Sequence, residues 1–390
     1  MMRGPRVCVL SIGDEILNGR IVDTNAAFLG SELLKLSLAV SHHRCISDSP
    51  GQLSQQLLDL SQSFDLILSS GGLGPTADDR VVDELNQLEV ALTSIPNPAG
   101  TADGISAELD RSCKYFALPG PPIECEQTYL QSVFPLLSEM YSGVVESAYH
   151  TMHFIGTHEA DLASYIEELF LPDANPTLGI TASEQGVTIS MYAQPSSEHD
   201  AKYHIERCRA HIADKLSKWL WGEGDITLAS EVVRLAKEHK LTVALAESCT
   251  GGQAAAALVD IPGASEVLNC SWVTYANDAK NRQLGVSASM LEKYGAVSEE
   301  VAIAMAKAAL KKSRASYAVS ITGIAGPSGG TVEKPVGTVC FAIASAEGVH
   351  SLTRQQYVLG GRKRIQRQSV RDALYLFFLA INGRLVLRDR

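Results

Sequence analysis

This chain of 390 residues holds eight cysteines but no Cys-x-x-Cys pair. They are scattered at positions 8, 45, 113, 125, 208, 249, 270 and 340, which argues against a zinc knuckle or a redox dithiol and for a reducing cytoplasm. Runs of roughly 18 uncharged apolar residues are also missing, so no transmembrane helix and no membrane partner are expected. The apolar run at the N-terminus is only a few residues long before Gly13, Asp14 and Glu15, and it reads as a first strand rather than a secretion signal. Apolar residues make up 45% and charged residues 20%, which excludes general disorder. The length allows two or three domains at roughly 150 residues each.

The net charge of −11 is unevenly spread. Residues 225–390 carry 20 Lys and Arg against 14 Asp and Glu, and the remainder carries 13 against 30. The acidic part is a poor match for a nucleic-acid backbone, so no nucleic-acid partner is expected. The basic part suits either a phosphorylated small molecule or the acidic part itself.

Three segments follow from the patterning: residues 1–147, 148–224 and 225–390. The first alternates strand and helix signals. Val7 to Ile12 and Phe64 to Leu68 are apolar runs that end near glycines, and Ala26 to Leu36 has helical spacing. This predicts a mostly parallel sheet covered by helices. Ligands then bind at the carboxyl ends of the strands. The second segment predicts a small α+β unit with a strand over 188–192 and a helix over 204–219. Gly222-Glu223-Gly224 is its expected linker. The third segment resumes the α/β pattern and finishes with a basic helix from Arg362 to Leu379.

The most informative stretch is Ala246-Glu247-Ser248-Cys249-Thr250-Gly251-Gly252, between a predicted strand and helix. A hydroxyl there stands at a strand's carboxyl end, and the amides of the following helix start can stabilise an anion. That suits a nucleophile with its oxyanion hole. The same residues also suit a plain helix cap with glycines in a tight turn. Tyr275-Ala276-Asn277-Asp278-Ala279-Lys280 adds a phenol, an amide and an amine. Ser320 to Gly330 forms a second glycine-rich strand end. No histidine lies in these loops, so Lys280 is the natural base, provided burial lowers its pKa. Cys249 is a rival nucleophile, but its side chain cannot share the direction of Ser248 in such a turn.

These motifs resemble the C-terminal domain of the CinA (competence/damage-inducible protein A) family, whose order Ala-Glu-Ser-Cys-Thr-Gly-Gly, Val-Thr-Tyr-x-Asn-x-x-Lys, Gly-Ala-Val-Ser and Ser-Ile-Thr-Gly-Ile-Ala-Gly-Pro is kept here. The later Lys334-Pro335-Val336-Gly337-Thr338-Val339 fits too. The resemblance implies a nicotinamide-nucleotide amidase that converts nicotinamide mononucleotide to nicotinate mononucleotide and ammonia without a cofactor. Ser248 would be the nucleophile and Lys280 the base, with Tyr275 or Thr322 relaying the proton. Thr250, Gly251, Gly252, Ser265, Asn277, Gly323 and Gly326 would contact the substrate, and Arg362 its 5′-phosphate. Around Arg362 the family pattern has an Asp where Gly361 stands and an Arg where Gln366 stands.

The N-terminal segment resembles the MoaB/MogA-like molybdopterin-binding domain of the same family. It does so through Gly13-Asp14-Glu15-Ile16-Leu17-x-Gly19, Asp23-Thr24-Asn25, Gly71-Gly72-Leu73-Gly74-Pro75-Thr76-x-Asp78-Asp79 and Leu118-Pro119-Gly120-x-Pro122. The implied fold is a three-layer α/β sandwich. Asp14, Asp78 and Asp79 would hold Mg²⁺ or Mn²⁺ for hydrolysis of ADP-ribose, while Gly71 to Thr76 would cradle a phosphate. The helical insert expected after Asp79 is shortened, because Asn97-Pro98-Ala99-Gly100-Thr101-Ala102 follows after 17 residues. The middle segment corresponds to a KH-like unit but has no Gly-x-x-Gly loop to grip nucleic acid. The expected protein is thus a cytoplasmic homodimer with an amidase at its C-terminus. A metal-dependent ADP-ribose pyrophosphatase and a non-enzymatic competence or DNA-damage adaptor are the alternatives.

Overall fold

A computed structural model describes residues 5–76, 79–142, 147–356, 360–385 and 387. The protein is mixed α/β and contains three sheets. Two compact units are present: Met1–Tyr149 with Pro172–Thr177 and Met191–Cys208, and His150–Leu171 with Leu178–Ser190 and Arg209–Arg390.

The first sheet has the order β2-β1-β3-β6-β5-β4. Its strands are β1 (Val7–Ile12), β2 (Val40–Ile46), β3 (Leu66–Ser70), β4 (Leu92–Ile95), β5 (Gly104–Glu108) and β6 (Lys114–Leu118). β2, β1, β3 and β6 run parallel, whereas β5 and β4 are antiparallel additions. Strand alternation explains its two cores. Cys8, Leu10 and Ile12 enter one hydrophobic cluster, and Val7 and Val9 enter the other. A strand apolar on both faces must be covered on both, which yields the three-layer MoaB/MogA-like arrangement. The helix Thr24–Lys35 supplies Leu29 and Leu33 to one layer, and Gln52–Ser61 supplies Leu53, Leu57 and Leu60 to the other.

The KH-like sheet comprises β7 (Ala148–Phe154), β8 (Thr177–Ser183), β9 (Gly186–Ala193) and β10 (Leu220–Glu223), in the order β10-β7-β9-β8. Here one expectation fails. Gly222 and Glu223 are not a linker but part of β10, paired antiparallel with β7. Gly222 serves close packing, since a Cβ there would stand 2.6 Å from Ile226.

The third sheet has the order β12-β11-β13-β14-β15. It uses β11 (Val243–Glu247), β12 (Leu268–Val273), β13 (Tyr317–Gly323), β14 (Thr338–Ser345) and β15 (Gly348–Gln355). β11 is parallel to β12 and β13, so three strands deliver their carboxyl ends to one edge. Val243 and Leu245 pack under the last helix (Gly361–Ile381), while Ala244 and Ala246 face the helix Glu299–Ser313. That helix starts on a Ser298 cap accepting from the Val301 amide, with Glu299 and Glu300 in its first turn. Its Ala302 and Ala306 allow close approach, and Ser320 Oγ donates to the Ala302 carbonyl at 2.6 Å. Among the described residues no helix is long and apolar enough to cross a membrane. All eight cysteines are free thiols.

Candidate active site

Ser248 directly follows β11, and its amide is held by the Ile321 carbonyl at 2.9 Å. The chain then turns sharply. Gly251 and Gly252 adopt φ of 61° and 97°, left-handed values that disfavour residues with a Cβ. The short helix Gln253–Val259 begins immediately afterwards.

The sequence reading missed what holds this turn. Glu247 is fully buried. Its carboxylate accepts from Thr250 Oγ1 at 2.7 Å and from the amides of Gly252, Ala254 and Ala255 at 3.0, 3.1 and 2.9 Å. An internal anion thus satisfies the helix start. The Gly251 amide is also engaged, by the Ser248 carbonyl at 3.1 Å. Of the expected oxyanion donors, the Gly251 and Gly252 amides are therefore already in use. The Thr250 amide has no acceptor among the described residues. Gln366 is a second missed contributor, since its Nε2 donates to the Cys249 carbonyl at 2.8 Å. A buried acid at a strand end, and a polar residue four after Arg362 on one helix, are the signals that could have found them.

Lys280 comes from the helix Asn277–Leu284. The Thr274 amide donates to the Glu247 carbonyl at 2.8 Å, which brings the end of β12 beside the end of β11. Lys280 is 1% exposed. Its Nζ lies 2.9 Å from Ser248 Oγ, 2.9 Å from the Thr274 carbonyl and 3.4 Å from the Tyr275 carbonyl. It has no ion-pair partner among the described residues. Burial holds its pKa below the ordinary 10.5, with Cys249 opposing weakly. Burial pushes the Cys249 thiol the other way, up to about 12.

The remaining predicted residues divide. Thr322 Oγ1 donates to the Ala296 carbonyl at 2.8 Å, and the Tyr275 hydroxyl accepts from Arg362 Nη2 at 2.8 Å. Neither hydroxyl bonds Lys280 among the described residues, whereas Lys280 and Ser248 meet directly. Arg362 also donates to the Gly326 carbonyl at 2.8 Å and so bridges two loops at this edge. Gly323 answers a packing need, since a Cβ there would stand 2.7 Å from Val339 and 2.9 Å from the Thr338 carbonyl. Asn277 is exposed at the first position of its helix. Ser265 is not brought to the site. It precedes β12, whose Leu268 pairs with Val243 at the start of β11, so it lies at the opposite end of the strands.

In the N-terminal unit a cavity of about 620 Å³ sits at the strand ends and is lined by Glu15, Asp23, Asn25, Asp48, Ser70 and Gly71 among others. Asn25 Nδ2 donates to the Gly120 carbonyl at 2.8 Å. Asn25 Oδ1 and Ser70 Oγ are buried with no partner among the described residues. Of the expected metal set, only Asp14 and Asp79 lie among the described residues. Asp14 is exposed and off the cavity, Asp79 accepts from the Thr76 amide at 2.8 Å and from its hydroxyl, and Asp78 lies outside the described residues. Among the described residues no three His, Cys, Asp or Glu come together to hold a metal. The glycines answer backbone crowding: a Cβ on Gly71 would stand 2.3 Å from the Ile12 carbonyl oxygen.

Three family profiles match: "CinA C-terminal domain" over residues 225–381, "Probable molybdopterin binding domain" over 8–139, and "Damage-inducible protein CinA KH domain" over 149–222. A relative from Symbiobacterium thermophilum bearing the competence-damage inducible protein name is 36% identical, covering 85% of this chain and 87% of its own. The CinA-like protein of Dictyoglomus thermophilum is 34% identical over 86% and 90% of the two chains. The crystal structure of the competence/damage inducible protein CihA from Agrobacterium tumefaciens is 44% identical, covering 40% of this chain and 93% of that one, with a TM-score of 0.39. From the profiles along its length and the span of these relatives, the chain belongs to the CinA, or competence/damage-inducible protein, family.

Proposed function

We propose that this protein is a nicotinamide mononucleotide deamidase, releasing ammonia and nicotinate mononucleotide through Ser248 and Lys280. The observation that carries the reading is the 2.9 Å contact between Ser248 Oγ and a lysine Nζ that is 1% exposed and has no acidic partner among the described residues. A solvated structural lysine needs no such burial, and burial of the charge disfavours the ammonium form.

A neutral amine has two N–H groups and one lone pair. The Thr274 and Tyr275 carbonyls accept the two N–H groups, and the lone pair then points to the Ser248 hydroxyl. Lys280 takes that proton as Ser248 Oγ attacks the carboxamide carbon. The C=O π electrons move to oxygen, and the Thr250 amide is available to that oxyanion. Collapse of the tetrahedral adduct re-forms C=O and breaks C–N. The leaving nitrogen takes the proton from Lys280 and departs as ammonia. Water, deprotonated by the same Lys280, then attacks the acyl ester, and Ser248 regains its proton. Arg362, beside Tyr275 at the mouth, is the residue offered to the 5′-phosphate.

The test is ammonia release from the mononucleotide by the full chain, with the pyridine product identified. Ser248→Ala should abolish it. Undiminished release from both Ser248→Ala and Lys280→Ala would sink the assignment.

A further inference from the structure

Ser248 lies in a turn whose backbone donors are almost all committed. Its own amide is held by the Ile321 carbonyl, and those of Gly251 and Gln253 by the Ser248 and Thr250 carbonyls at 3.1 and 3.2 Å. Gly252, Ala254 and Ala255 give theirs to Glu247. The Cys249 amide faces its own thiol. That leaves the Thr250 amide without an acceptor among the described residues, two positions past the nucleophile. Thr250 itself is fully buried.

A peptide group is planar, so the Cys249 carbonyl and the Thr250 amide point in opposite directions and turn together. Whatever holds that carbonyl aims that amide. The Glu247 carboxylate binds the Thr250 hydroxyl and later amides, and does not touch this peptide group. Among the described residues the Cys249 carbonyl accepts from one group, Gln366 Nε2 at 2.8 Å, 117 positions away in sequence. Gln366 stands on the 21-residue helix Gly361–Ile381, beside the fully buried Ile365 and Ser369. Packing of that helix sets the direction of its side chain, and a group carried on a packed element is placed more precisely than one on a loop. Arg362, one turn earlier, ties the same edge to Gly326 and Tyr275.

We propose that Gln366 is a positioning residue: by holding the Cys249 carbonyl it aims the Thr250 N–H at the oxyanion and polarises it. This role rests on the amidase reading above. A carbonyl that accepts a hydrogen bond strengthens the donor on the other side of the same peptide group. Oxyanion stabilisation needs a donor fixed before the charge develops, and a misaligned N–H loses most of its effect. Gln366 acts through the backbone, so its loss should lower turnover and leave ground-state binding alone.

Gln366→Met keeps the approximate volume and removes the donor, while Gln366→Glu sets an acceptor against the carbonyl. In the full-length protein each should lower kcat for ammonia release from nicotinamide mononucleotide by about ten- to hundredfold, less than the roughly 10²–10³ for outright loss of an oxyanion donor. KM should stay within about threefold. Gln366→Arg, the residue of the family pattern at this position, returns an N–H donor and should recover most of kcat. A second readout needs no amide substrate: inactivation of Ser248 by an alkyl fluorophosphonate, followed by mass. There Ser248 Oγ bonds to phosphorus, fluoride leaves, the hydroxyl proton passes to Lys280, and the phosphoryl oxygen takes the place of the oxyanion. Inactivation should slow in the Met and Glu variants by a similar factor and recover in the Arg variant. Rates are compared between variants with a cooperative melt, and two donor-free variants cover the case in which one does not fold. Wild-type inactivation rates in a folded Met or Glu variant would overturn the proposal. So would equal slowing in the Met and Arg variants, which would mark a packing role. A wild-type protein that releases no ammonia, yet keeps the order wild type, Arg, Met in its inactivation rates, would sink the amidase reading and leave Gln366 as the residue that aligns the oxyanion donor of a serine nucleophile.

Discussion

Replacing Lys280 by Met should make the protein more stable at neutral pH while removing its ammonia-releasing activity. Lys280 is 1% exposed, and its folded pKa lies below the ordinary 10.5 because of burial. Between those two values the unfolded chain keeps a proton that the folded chain has released. Unfolding therefore binds protons, and stability rises with pH across that window, by at most about 1.4 kcal/mol per unit. At neutral pH the folded state carries a penalty that a methionine of similar volume does not. Replacing buried ionic groups with well-packed apolar ones is often stabilising by about 1–4 kcal/mol. The variant also leaves Ser248 Oγ and the Thr274 carbonyl without a donor, at about 1 kcal/mol each. The net gain at pH 7 should be about 1–2 kcal/mol, or a few degrees in melting temperature. It should shrink as pH rises and reverse above the ordinary lysine value, where only the lost hydrogen bonds remain. Calorimetric melting of both proteins from pH 6 to 10, alongside ammonia release, provides the measurement. A Met variant less stable by the same margin at every pH would refute the reasoning, because Lys280 would then be a favourable structural ammonium.

The acid limb of kcat/KM should report Lys280 losing its proton at a pH below the ordinary 10.5, and Lys280→Arg should be inactive because a guanidinium does not deprotonate; initial rates against pH decide. Cys249→Ala should keep activity within a few-fold, and thiol reagents should react slowly at pH 8, since the thiol pKa is pushed up to about 12. Arg362→Ala should lower kcat/KM for the mononucleotide by about ten- to hundredfold and affect the riboside much less. Equal losses on both would place the phosphate elsewhere. Glu247→Gln puts an N–H donor among amide donors and should cost about 3 kcal/mol or more in denaturant unfolding; an unchanged midpoint would show that the turn holds without the charge.

Much of the fold was legible because strand ends and glycine turns are local signals. The Val7, Leu66, Val243 and Tyr317 strands all fall where apolar runs meet glycines or small residues. The pairing of Ser248 with Lys280 was also legible, since each lies just past the carboxyl end of a neighbouring parallel strand. Which end of a strand a loop occupies is a tertiary fact, and Ser265 was misplaced for that reason. Thr322 and Tyr275 bear the right groups, but the Ala296 carbonyl and Arg362 claim them, and such competition is invisible in sequence. The sequence motif contains Glu247 but gives it no role. Its role as an internal cap needs the helix start folded back over it.

That internal cap bears on how the site empties. In the proposed reaction, hydrolysis would turn a neutral carboxamide into a carboxylate beside the turn that follows β11. Were the start of the helix Gln253–Val259 left open, its amides would form an anion trap and the acid would leave slowly. Glu247 already occupies those amides, at 3.0, 3.1 and 2.9 Å. A newly formed carboxylate beside Ser248 thus meets a resident negative charge in place of a vacant cradle, and like charges at short range in a buried setting repel. If the proposed amidase reaction holds, the residue that braces the turn after β11 also disfavours retention of the acid formed there.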